Sequence, residues 1–171
     1  MLEEAVASLR QGGDDDVDEE KWSPTINVGT SVLLPEAYID DLQVRMGLYR
    51  RLADLEEQQQ IEGFGAELRD RFGPVPEEVE HLLEIVAIKL LCRRANVASV
   101  DAGPKGAVVR FRNDTFSNPA GLVEYINQGA GYVKLRPDHA LVVRRMWDQP
   151  KDRLTGSHTI LKYLVKLADA A

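Results

Sequence analysis

The chain has 171 residues, 44% of them hydrophobic and 29% charged, with a formal net charge of -7, which is the profile of one globular domain able to bury a sizeable core. Its apolar runs are too short to span a bilayer, and "MLEEAVASLR" carries acids where a signal peptide carries bases, so a cytosolic protein without membrane contact is expected. A single cysteine, Cys92, excludes an internal disulfide, and three scattered histidines give no zinc-ligand spacing, so no metal or other cofactor is expected.

The charge is unevenly spread. Residues 1 to 20 hold eight acids and one base, leaving the remaining 151 residues neutral with 20 of each. Within that body, residues 36 to 84 hold 13 acids and 5 bases, and residues 105 to 153 hold 5 acids and 9 bases. Such a split suits docking to a charged partner or uneven solvated faces.

In chain order, Leu2, Ala5, Val6 and Leu9 have helical spacing, and "QGGDDDVDEEKWSP" then reads as a flexible acidic linker. Residues 1–23 are therefore set apart from a domain over 24–171. "TINVGTSVLL" is rich in strand formers. From Pro35 and Glu36 a helix is expected to roughly Glu57, with Ile39, Leu42, Met46, Tyr49 and Leu52 as its buried stripe. Ile61, Phe64, Leu68 and Phe72 define a second helix stopped by Gly73-Pro74, and a third, beginning near Pro76, is apolar most of the way round and should be the buried central helix.

Beyond Asn96 the period changes to two. "VASV" and "AVVRFR" should form a hairpin across Asp101 to Gly106. A helix capped by Asn118 with Pro119 at its first position follows, then strands in "GYVKLRP" and "ALVVRRM", with His158 in a Gly-Ser loop and a closing helix around Ile160, Leu161, Leu164, Val165 and Leu167. The fold class is α+β: N-terminal helices around a buried central helix, then a small, mostly antiparallel sheet with covering helices.

Chemistry is harder to find. No phosphate-loop, zinc-protease or nucleophile-elbow motif occurs, and Gly129 to Gly131 fails the dinucleotide fingerprint. Cys92 in "IKLLCRRA" fits a small core hydrophobe. Glu77 and Glu78 are adjacent on a helix and do not face one another. An enzyme reading has no residue to stand on. A nucleic-acid module would use Arg110, Arg112, Lys134 and Arg136, which alternate with apolar residues along two strands, although Phe111 falls on the face away from the arginines. In "ELRDRFGPVP", Glu67 and Arg71 form an i, i+4 pair on the flank of the second helix and Asp70 points away from the core. Charges so exposed stabilise little; they suit meeting a protein partner better, with a plain solvated face as the alternative.

"LLPEAYIDDLQVRMGLYRRLA" followed by "ELRDRFGPVPEEVEHLLEI" resembles the C-terminal domain of the bacterial transcription-repair coupling factor, an ATP-driven DNA translocase that removes stalled RNA polymerase and recruits excision repair. The likeness is specific over Leu34 to Pro76 and extends to about residue 165, while "MLEEAVASLR" is similar to the helix that leaves the translocase motor. The resemblance implies a fragment without the motor, polymerase-binding and UvrB-like domains, and hence a non-catalytic regulatory domain. It implies a clamp that docks on the UvrB-like domain of the same protein and masks its UvrA-binding surface, with RNA polymerase and DNA met only through the parent protein. Carried onto this sequence, the contact falls on Glu67, Asp70 and Arg71. Arg69 stands where the family often has an apolar residue.

Overall fold

The computed structural model describes residues 22–29, 32–129 and 131–171. The helix and linker expected before Trp22 lie outside the described residues. Strand β1 (Thr25–Asn27) leads through a turn at Glu36–Tyr38 into three helices: α1 (Leu42–Ala53), α2 (Gln58–Phe72) and α3 (Glu77–Ala95). Strands β2 (Val97–Gly103) and β3 (Gly106–Phe111), helix α4 (Pro119–Gln128), strands β4 (Val133–Leu135) and β5 (Leu141–Arg144) and helix α5 (Pro150–Asp169) complete the order. No helix among the described residues is long and apolar enough to cross a membrane.

The α1 boundary is set by polar capping rather than by Pro35. The backbone amides of Tyr38 and Ile39 both donate to the Pro35 carbonyl, closing one turn, and the Asp41 carboxylate then accepts from the amides of Gln43 (2.8 Å) and Val44 (3.1 Å). That cap starts the helix at Leu42. It also corrects part of the expected stripe: Ile39 and Leu52 are buried as expected, but Leu42 and Met46 are exposed and Leu48 is buried in their place. Helix α2 likewise starts on a polar cap: the Gln60 side chain accepts from the Glu57 amide in a reciprocal capping box. Gly73, at φ +90°, ends α2 in a conformation that side chains avoid. The Tyr38 hydroxyl donates to the carbonyls of Leu68 and Gly73, tying the Pro35 turn to this helix end.

The five strands form one sheet in the order β1-β2-β3-β5-β4, with β1 parallel to β2 and every other pair antiparallel. Strand β2 runs on through Asp101, Ala102 and Gly103, so the hairpin turn shrinks to Pro104-Lys105. Arg112 leaves the strand in a short 3-10 turn, where Asn113 and Asp114 take positive φ. Helices α3 and α5 pack along one another and against β2. Helix α5 begins at Pro150, ten residues before the expected stripe, and so absorbs Gly156, Ser157 and His158. The reason is packing: the Trp147 indole lies against Gly156 so closely that a Cβ there would sit 2.1 Å from its ring.

Two cores result. The larger joins sheet, α3 and α5 through residues such as Val100, Val109, Leu141, Ile88, Leu154 and Leu161; the smaller joins Ile39, Leu48, Leu52, Phe64, Leu68 and Val79. Helix α3 belongs to both. Arg153, a buried cation unforeseen from sequence, stitches the larger core's margin by donating to the carbonyls of Trp147 (2.9 Å), Val28 (3.0 Å) and Asp148 (3.0 Å).

Two substitutions check this packing by urea denaturation. Gly156→Ala gains about 1 kcal/mol of helix propensity but collides with the indole, so a net loss of about 1–3 kcal/mol is expected. Arg153→Met keeps the apolar stem and strands three carbonyls; a loss of about 2–3 kcal/mol is expected, with β1 loosened first.

A candidate ionic docking surface on the second helix

The side chains singled out in "ELRDR" sit on α2 because its apolar positions Phe64 and Leu68 are buried with Leu48 and Leu52 of α1 and Val79 of α3, which turns the intervening charges outward. Glu67 is half-buried and already engaged. Arg51 of α1 grips its carboxylate with two hydrogen bonds, 2.6 and 2.8 Å, and Arg71 adds a third at 3.1 Å. Two-point binding of this kind fixes orientation as well as distance. Both arginines are held by aromatic faces, Arg51 over Phe64 at 5.1 Å and Arg71 over Phe72 at 4.9 Å. Hydrogen bonds from Arg51 first and Arg71 second hold the Glu67 carboxyl down at about 2, against an opposing effect of partial burial.

Glu67 and Arg71 are thus brought together as their spacing demands. Asp70 is not part of the group: it is exposed, and no ion pair engages it among the described residues. Arg51 is the partner that sequence reasoning missed. It lies 16 residues away, on the far arm of a helix pair whose register only the smaller core defines.

The alternative basic set is scattered. Arg110 and Arg136 converge on one carboxylate, Asp138, whose pKa is depressed strongly, by the Arg136 hydrogen bond above all and by that of Arg110 least. Arg112 stacks over the Trp22 ring at 5.1 Å, and Lys134 stands exposed on β4. Three of the four cations therefore have intramolecular partners. Cys92 is fully buried, and desolvation pushes its thiol up to about 12, well away from nucleophilic use.

The Glu67 cluster carries its own pH signature. A carboxyl depressed in the folded state stabilises it above the unfolded value of 4.5 and loses that contribution as pH falls towards 2. Because the side chains are exposed, Glu67→Gln is expected to cost only about 0.5 kcal/mol at pH 7, with the difference from the parent closing near pH 2 in urea titrations.

Comparison with known proteins places the chain in a family. Residues 28–122 match the family model described as "TRCF domain". The transcription-repair-coupling factor of Rickettsia prowazekii is 34% identical over 168 residues, covering 98% of this chain and 15% of that protein. The Escherichia coli K12 factor is 27% identical over 140 residues, covering 81% of this chain and 12% of that protein. The chain therefore spans about a seventh of the length of these relatives. A crystal structure of the C-terminal domain of transcription-repair coupling factor superposes with a TM-score of 0.70 at 18% identity, covering 87% of this chain and 97% of that one. With the family model matching more than half of its residues, the chain belongs to the transcription-repair-coupling factor family and carries the fold of that factor's C-terminal domain.

Proposed function

We propose that this domain is a non-catalytic regulatory module of a transcription-coupled repair translocase. It docks through α2 on the UvrB-like domain of the full-length protein and masks the surface that binds UvrA. The observation that carries the reading is the exposed charge edge of α2. Glu67 is held in a fixed orientation by Arg51 and Arg71, while one turn on Asp70 offers a carboxylate with no ionic partner among the described residues. The charge is mounted on a rigid element, since Leu68 beneath it is fully buried and the helix end is tied to Tyr38. Pre-oriented ions of this kind add little to the fold and much to the choice and orientation of a partner.

A complementary surface needs cations placed to meet Asp70 directly and to share the outer lone pairs of Glu67. Arg71, exposed beside them, would meet an acid. UvrA and RNA polymerase are then reached only indirectly, and DNA through the parent translocase. Pairing of Arg110 and Arg136 by Asp138, and stacking of Arg112 on Trp22, leave the basic-strand reading with Lys134 alone.

Reversing both charges, Glu67→Arg with Asp70→Arg, in the full-length protein should release the clamp. UvrA binding by the resting form is expected to strengthen about 5- to 150-fold, the span of ordinary coupling energies. Unchanged affinity, with the circular dichroism melt of the variant intact, overturns the contact.

A further inference from the structure

We propose that the side of the sheet facing away from α3 and α5, at the Pro104-Lys105 hairpin, is a second docking surface, for an acidic segment of a partner protein anchored by apolar side chains. It shares no residue with the α2 edge and does not depend on that reading. Helices α3 and α5 lie against the inward residues of the strands, and no helix among the described residues packs on the opposite face. There Val108 and Val142 face each other in register, half-buried, with Lys134 paired to Val142 on the neighbouring strand. A shallow groove of about 450 Å³ runs over these valines, and an open groove of about 880 Å³ adjoins it, the two sharing Pro104, Lys105 and Arg144.

The adjoining groove is built, not accidental. The Arg145 amide donates to the Lys105 carbonyl (3.0 Å), Trp147 to Pro104 (2.9 Å) and Arg144 to Tyr132 (2.7 Å), which locks three separate segments side by side. The Arg145 guanidinium lies 4.8 Å over the Tyr132 ring. Tyr132 is nevertheless 58% exposed, and Met146, at 88%, is the most exposed large apolar side chain among the described residues. Lys105, Lys134, Arg144 and Arg145 enter no ion pair among those residues, and the grooves' own acids are Asp101 and Asp148.

Charge complementarity points to an anionic partner, and composition to a protein. Tyrosine, methionine and arginine are the residues enriched at protein interfaces, and an exposed methionine adapts to varied apolar anchors. Nucleic acid is disfavoured, since Tyr132, the one aromatic ring among the described residues lining the grooves, already carries the Arg145 guanidinium on its face, which leaves no run of stacking platforms for bases.

The test uses the whole chain and a fluorescent 12-residue peptide alternating Asp and Glu with Leu and Phe, read by anisotropy. Two further probes are the same peptide with Asn and Gln for its acids, and a 12-nucleotide oligo-dT. Saturable binding of the acidic peptide is expected, weakened about tenfold by the amide version, by Arg144→Glu with Arg145→Glu, and by the exposed pair Lys105→Glu with Lys134→Glu. Met146→Ser should weaken it several-fold without moving the melting temperature. No saturable binding of the acidic peptide up to about 1 mM, equal binding of the amide peptide, indifference to both charge reversals, or preference for oligo-dT each overturns the proposal.

Discussion

The structure depends on the two-sided burial of α3. Its first half gives Val79, with Leu82, Leu83 and Val86 beside it, to the smaller core, and its second half gives Ile88, Cys92 and Ala95 to the larger one. Each core alone would be small for independent stability. A continuous helix of 19 residues makes them one domain and fixes the angle at which α1 and α2 stand to the sheet. Its ends reinforce this. Glutamates 77, 78 and 80 occupy the positive N-terminus, and Asn96, left-handed at φ 58°, closes the other end and accepts the Arg112 amide into its carbonyl.

The charges of α2 show how a fold can carry ions that it hardly needs. Exposed pairs are worth at most about 1 kcal/mol, whereas the apolar side chains beneath them are each worth about 1.5–3. Leu68, fully buried, therefore holds the helix, and Glu67 is held by it. Arg51 and Arg71 spend their apolar stems and flat guanidinium faces on Phe64 and Phe72, so the carboxylate between them is presented in one orientation.

Element type and order were legible wherever hydrophobic period and end signals agreed, as for α2 with Phe72-Gly73-Pro74 and α4 with Asn118-Pro119. Boundaries failed where a polar side chain captured backbone groups, as at Asp41 and Gln60, or where tertiary contact overrode a loop signal, as at Gly156 beneath Trp147. At the candidate site, the local pair Glu67 and Arg71 was readable because its spacing is helical. Arg51 was not, because nothing in its own neighbourhood announces a partner on another helix. Arg112 misled for a similar reason: alternation carried it into a strand that ends at Phe111.

Strand order adds a mechanical point. Helices α1, α2 and α3 all lie in the crossover between two neighbouring parallel strands, β1 and β2. A pull on α2 returns to the sheet along two unequal paths, through the long, doubly buried α3 on one side and through β1 on the other. Strand β1 is held by three paired residues, the Arg153 grip on Val28, the Arg93 bond to the Trp22 carbonyl and the packing of Ile26 and Val28 on the larger core. Under tension the helical unit would peel from its N-terminal side, with β1 as the fuse and α3 as the hinge.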